Sequence, residues 1–203
     1  MDKSDFDLIH QHQSTESKIV ASLERIAQAF RVLLWQESKE FSLSPIQVQV
    51  LIFLLYHSSD KRKVSYLANE FNMTKATISD TIKALEQKNL ITKEYEPNDT
   101  RSYIIHLSEK GKDIAGKTSF FTKEFQKPIN ELHPDDKENL LLSLLNIIRH
   151  LNKSGVITVQ RMCMNCSYYQ PSQDGQNHFC KLLNQNLHIT DLQIDCAEHK
   201  MKV

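Results

Sequence analysis

Between Thr74 and Leu107 the chain changes its hydrophobic period, and this change restricts the fold more than any other feature. TKATISDTIKALEQKN, residues 74–89, carries Ile78, Ile82 and Leu85 as a narrow apolar stripe at helical spacing. Its other face holds Lys75, Thr77, Ser79, Lys83 and Lys88, with Asp80 and Glu86 between them. Directly after it, LITKEY (residues 90–95) and SYIIHL (residues 102–107) read as two strands around the turn PNDT, where Asn98 and Asp99 tolerate special backbone angles. Upstream, VSYLANEF (residues 64–71) predicts a short helix with Leu67 and Ala68 inward, and Asn72-Met73 a tight turn.

Two short helices, a tight turn, a half-polar second helix and a hairpin compose a winged helix-turn-helix. The expected fold class is mainly α with a small β-hairpin wing. A wing lies along the DNA backbone and can place a long cation in the minor groove, where the potential is most negative. Arg101 is that cation, and Asp99, two residues earlier, can hold its guanidinium by a bidentate bond. An isolated surface pair of this kind is otherwise a salt bridge worth little. On the second helix, Lys75, Thr77, Ser79 and Lys83 are the expected contacts to bases or phosphates, against the plainer reading of a solvated face, and Thr74 is the expected cap.

The flanks read as helices. Residues 16–39 place Ile19, Leu23, Ile26, Phe30, Leu33 and Leu34 on one stripe. Ser44-Pro45-Ile46-Gln47 is a capping box that opens a helix to about His57, with Val48, Leu51, Ile52 and Leu55 inward. Ser108 and Glu109 open a helix continued by Ile114, Phe121, Phe125 and Ile129, which Pro128 should end or kink. Pro134 starts a last helix with Leu140, Leu141, Leu144, Leu145, Ile148 and Leu151 inward, stopped by Gly155. The first and last helices carry more apolar surface than a small winged domain can cover, so a two-fold homodimer is expected. The division is 1–42 dimerisation helix, 43–112 winged domain, 113–155 dimerisation helices and 156–203 cysteine-rich tail.

Composition narrows the function. Four glycines among 203 residues leave no glycine-rich phosphate loop or dinucleotide fingerprint, and no G-x-S-x-G nucleophile motif occurs. The formal net charge is zero, so nucleic-acid binding must use a local basic surface. No apolar run reaches the roughly 18 residues of a membrane span. The start MDKSDFDLIH is acidic and does not read as a signal peptide, which makes a cytoplasmic protein the expectation.

The run from Leu43 to Ala115 resembles the MarR family of winged-helix regulators. The residues that carry the resemblance are Leu67-Ala68, TKATISDTIKALEQKNLI and the run D-x-R-S-Y-I-I-H-L-S-E-K-G from Asp99 to Gly111. The resemblance extends more loosely over 16–152. It implies a homodimer built on the first and last helices, recognition helices in successive major grooves of double-stranded DNA, and wings in the flanking minor grooves. It also implies a transcriptional regulator, more often a repressor released by a signal, with room for a small-molecule effector. Many relatives have glycine after the recognition helix; this chain has Asn89, which also tolerates the left-handed conformation.

All four cysteines fall in the tail, in the pattern C-x2-C-x13-C-x15-C formed by Cys163, Cys166, Cys180 and Cys196. Three readings compete. Four thiolates can complete a structural zinc site, which would supply folding energy to a segment poor in large apolar side chains. They also suit an iron–sulfur cluster, or they act as thiols that form disulfides on oxidation. Zinc is the expected cofactor and the cluster the alternative. His178, His188 and His199 could replace one cysteine, while His10 and His12 read as surface residues. The rival to a DNA-binding regulator is a redox protein in which the tail is the active element.

Overall fold

The computed structural model describes residues 3–96, 99–171 and 178–202, with the side chains of 96 and 99–101 left out. A short helix α1 (Leu8–Gln13) precedes the long α2 (Thr15–Glu40). The sequence pattern missed α1, which buries nothing and rests on its cap: the Asp7 carboxylate accepts from the amides of Ile9 and His10. Along α2 only Leu34 of the apolar residues is buried; Ile19, Val20, Ile26, Phe30, Val32 and Trp35 remain exposed in the single chain.

The winged domain is built on α3 (Pro45–Tyr56), whose predicted capping box is present, with Gln47 and Ser44 reciprocally bonded. Val48, Val50, Leu51 and Leu54 are fully buried, while Ile52 and Leu55 are only partly so. Helix α3 is therefore the centre of the domain and not an amphipathic edge. Helices α4 (Val64–Glu70) and α5 (Lys75–Gln87) flank a turn in which Asn72 has a φ of 51°. Ile78, Ile82 and Leu85 of α5 are fully buried against α3 and the wing. Asn89 has a φ of 57°, the left-handed turn its identity allows.

Strands β1 (Ile91–Glu96) and β2 (Asp99–Leu107) pair antiparallel, from Ile91 opposite Leu107 to Tyr95 opposite Tyr103. The Ile105 amide donates to the Arg62 carbonyl at 3.0 Å, tying the wing to the segment before α4. Helix α6 (Glu109–Thr118) starts at Ser108, whose side chain accepts from the Gly111 amide. Glycine is required at 111 because a Cβ there would collide with the Leu90 carbonyl.

The single helix expected from Ser108 to Ile129 is broken, and not at the proline. The chain turns through Ser119–Thr122 and resumes as α7 (Lys123–Glu131), with Pro128 inside it. The Thr118 hydroxyl donates to the Ile114 carbonyl at 2.8 Å and Ser119 to Gly116 at 2.8 Å; such back-bonding bends helices. Rings seal the bend, with Phe30 of α2 stacked on Phe125 at 4.1 Å and edge-on to Phe121 at 6.4 Å. Pro128 is tolerated because α7 buries nothing, so water can satisfy the carbonyl that the proline leaves without a donor.

Helix α8 (Pro134–Lys153) ends before Gly155, whose φ is 78°. The tail folds back onto it. Its three short strands, β3 (Tyr169–Gln170), β4 (His178–Cys180) and β5 (Gln185–Leu187), form one antiparallel sheet in that order. Leu145 is 1% exposed beneath Met162, Met164, Tyr169, Leu187 and Leu192, with Leu141, Leu142 and Ile148 alongside. Part of the α8 stripe is thus covered by the chain's own tail, whereas Leu140 and Ile147 stay exposed.

Candidate nucleic-acid interface

Helix α5 presents the expected polar face. Thr74 caps it, accepting from the Thr77 amide at 3.1 Å, and the two hydroxyls lie 2.8 Å apart. Thr74, Lys75, Thr77 and Lys83 are exposed and Ser79 is half-buried. The Lys83–Asp80 contact, at 3.5 Å between exposed side chains, is too weak to hold the ammonium. Lys88 differs from the others: its ammonium donates to the Ser42 carbonyl at 2.6 Å, a structural tie between α5 and the end of α2. Between α5 and the wing lies a groove of about 320 Å³ lined by Lys63, Ser65, Lys75, Ser79, Ser102 and Tyr103. Lys63 and Ser65, at the start of α4, add a cation and a hydroxyl that sequence reasoning did not single out. Asp99 and Arg101 lie in β2 beside the wing turn, but their side chains, with all of Pro97 and Asn98, fall outside the described residues. The expected Asp99–Arg101 pair falls there as well.

Residues 33–117 match the family described as the transcriptional regulator SarA/Rot. These residues, fewer than half of the chain, include the whole of the winged helix-turn-helix described above. BilQ, an HTH-type transcriptional regulator of Clostridioides difficile, is 26% identical over 103 residues, 50% of this chain and 70% of its own length. SarZ of Staphylococcus epidermidis, also an HTH-type regulator, is 24% identical over 110 residues, 54% of this chain and 72% of its own. Among solved structures, the S. aureus MepR–DNA complex superposes with a TM-score of 0.57 at 23% identity, covering 65% of this chain and 97% of that one. A MarR transcriptional regulator from Methanosarcina mazei Go1 superposes at 0.56 and 16%, covering 66% and 96%. The SarA/Rot match stops short of α7, α8 and the tail.

The tail reaches the winged domain through the Thr158 hydroxyl, which donates to the Asn69 carbonyl of α4, and above all through Arg161, which the sequence did not flag. Arg161, 7% exposed, donates to both Asp195 oxygens at 2.6 and 2.7 Å and to both Glu70 oxygens at 2.7 and 3.1 Å. It also donates to the Tyr66 hydroxyl at 2.9 Å. His57, stacked on Phe53 at 3.7 Å, completes the cluster with its Nε2 3.0 Å from Asp195. Burial alone would lower the guanidinium pKa, but the Asp195 and Glu70 carboxylates raise it above its ordinary value. Burial alone would raise the Asp195 carboxyl, yet its bonds to Arg161 and His57 hold it down at about 2. Glu70 is the last residue of α4, the helix packed against α5, so the tail grips the helix-turn-helix.

Cys163, Cys166, Cys180 and Cys196 are all free thiols, and all four line one partly open cavity of about 190 Å³. Burial pushes the Cys163 thiol up, and the other three cysteines add to the shift. Among the described residues, no three His, Cys, Asp or Glu side chains stand close enough together to hold one metal ion. His178, one of the proposed substitutes, is buried, and its Nδ1 is 2.7 Å from the Tyr169 hydroxyl; His188 and His199 are not among the cavity's lining residues. Among the described residues no helix is long and apolar enough to cross a membrane.

Proposed function

We propose that this protein is a sequence-specific DNA-binding transcriptional regulator that acts as a homodimer on palindromic sites, most simply as a repressor. The observation that carries the reading is the exposed face of α5, where Lys75, Thr77 and Lys83 stand beside a groove shared with the wing and α4. A helix of this exposure and polarity fits a major groove, and Arg101 on the wing is suited to the minor groove beside it. The relatives named above are regulators, and one fold neighbour was solved on DNA. Two-fold assembly is supported by the apolar residues of α2 and α8 left exposed in the single chain, Ile19, Ile26, Phe30, Leu140 and Ile147 among them. Two readers related by a two-fold axis fall about one helical turn apart on DNA. We assign the chain no enzymatic activity and place it in the cytoplasm, where its DNA lies.

The test is fluorescence anisotropy with a labelled duplex taken from the DNA upstream of the protein's own gene, over a salt series. Binding should weaken linearly in log salt. Lys75→Ala combined with Thr77→Ala should abolish discrimination between this duplex and a scrambled one. Equal affinity for both duplexes by the parent protein would sink the reading.

A further inference from the structure

The tail brings its four cysteines to one place from three separate stretches of chain. Cys163 opens a short turn that Cys166 closes, its amide donating to the Cys163 carbonyl at 2.9 Å. Cys180 ends β4, opposite Tyr169 of β3 and Gln185 of β5. Cys196 arrives on a ladder in which residues 161–163 run beside residues 193–196. There Arg161 forms a parallel bridge with Asp195, the Cys196 amide donates to the Arg161 carbonyl at 2.9 Å, and the Cys163 amide donates to the Gln193 carbonyl at 3.0 Å. The return bond of that last pair goes to sulfur: the Gln193 amide donates to Cys163 Sγ at 3.2 Å. All four cysteines are free thiols on the wall of the same cavity of about 190 Å³.

We propose that Cys163, Cys166, Cys180 and Cys196 bind one zinc ion in this cavity, all four as thiolates. A C-x2-C knuckle offers one ion two sulfurs from a single turn, and a structural zinc site takes two more from elsewhere in the chain. In the sequence that second pair is split, with fifteen residues between Cys180 and Cys196. The β4 strand and the ladder bring the two halves to the same cavity. Ferredoxin-type clusters take three ligands from one run of about ten residues, and here one run supplies only two. The Gln193 amide is a further sign: a donor aimed at sulfur favours thiolate over thiol, and such outer donors orient metal ligands. Leu183 and Leu187 supply apolar wall that limits solvent access. A thiol switch fits less well, because burial pushes the Cys163 thiol up, and a protonated thiol is a slow nucleophile. Thiolates gathered together oppose one another's ionisation, and a divalent cation removes that opposition. The exchange balances: four S–H bonds break, four Zn–S bonds form, four protons pass to water, and no electron moves. Among the described residues the sulfurs do not stand at ligand distance from a common point, so binding includes rotation of the cysteine side chains into the cavity. Because the ion competes with protons for sulfur, its affinity rises with pH.

The site stands apart from the DNA-binding reading, and its test uses full-length protein without DNA. Chelated protein, kept reduced, is titrated with zinc against a chromogenic chelator at several pH values. Expected is one zinc per chain, bound more tightly as pH rises. Cobalt(II) in place of zinc should give the visible bands of a tetrahedral ion with four sulfur ligands. Zinc should shield all four thiols of the parent protein from alkylation, a readout that needs no variant. Cys180→Ser should weaken zinc binding by more than the roughly 10–100-fold that loss of an outer donor costs, with the helical circular dichroism of the winged domain unchanged. His199→Ala should keep the parent affinity within threefold, because His199 does not line the cavity. Uptake of less than half a zinc per chain, alkylation indifferent to zinc, or a cobalt spectrum of fewer than four sulfurs overturns the site. So does protein purified without oxygen that carries iron and acid-labile sulfide in place of zinc.

Discussion

The winged domain and the cysteine tail are held together by different physics. The first is closed by a continuous core in which Val48, Leu51, Leu54, Leu67, Ile78, Ile82, Leu85 and Ile105 are fully buried, and α3, α5 and α6 are capped by the side chains of Ser44, Thr74 and Ser108. The second buries a handful of apolar residues, mostly against α8, and is attached by a few polar contacts, those of Arg161 foremost with Thr158 and Asn165 beside them. A region with enough aliphatic residues for a core specifies itself locally. A region without them takes its shape from partners far along the chain.

That contrast can be broken by experiment, beginning with the core. Ile82→Ala should cost about 2–5 kcal/mol of global stability, as large-to-small changes at fully buried sites do, read as a lower urea midpoint; a loss under 1 kcal/mol would mean the domain is not closed by this core. Arg161→Ala leaves Glu70 and Asp195 facing each other without their cation. Because Asp195 is 40% exposed, the cost should fall to about 2–3 kcal/mol, below that of a fully buried pair. It should appear as protease sensitivity of residues 156–203 with the winged domain intact, and cleavage spread over both regions would erase the distinction between them. Gly111→Ala forces a Cβ against the Leu90 carbonyl and should cost about 1–3 kcal/mol through overpacking, measured by thermal melting.

The two faces of α8 sharpen the comparison further. Leu145→Lys should undock the tail, whereas Leu140→Lys with Ile147→Lys should yield a folded monomer by sedimentation that has lost its DNA affinity. A dimer that survives the second pair places the interface elsewhere. Ile148 cannot serve this test, since it packs against the tail. The smallest effect on stability belongs to the wing: Arg101→Ala should leave the melting curve unchanged and reduce the salt slope of DNA binding by about one unit. An unchanged slope would remove Arg101 from the interface.

The same contrast governs what could be read from the sequence. Helices α3, α4, α5 and α6 and the wing were legible because period, caps and turn residues agreed: Ser44 with Gln47, Thr74, Ser108, and the left-handed Asn72 and Asn89. Helix α1 was not, since it has no buried stripe to leave a period. The break at Ser119–Thr122 was missed because hydroxyl back-bonding and ring packing against α2 decide it, not the more conspicuous Pro128. The cysteines announced themselves as a set, but their placement around a cavity depends on a strand ladder between residues about thirty apart, which no local pattern records. Arg161 gave no signal at all: its partners Glu70 and Asp195 lie 91 and 34 residues away.

The burial of Leu145 beneath the tail has a consequence for how the chain is made. Helix α8 is synthesised before the segment that covers it. At about 5–20 residues per second, the remaining residues take roughly 2–10 s to follow. During that interval the nascent chain carries an oily strip on α8 that neither its own tail nor, before release, a sister molecule has capped. Chaperone demand should therefore peak late in translation. A ribosome-bound nascent chain stalled soon after α8 has emerged should crosslink to a chaperone that the finished protein ignores, and equal crosslinking by both would show that the strip is covered some other way.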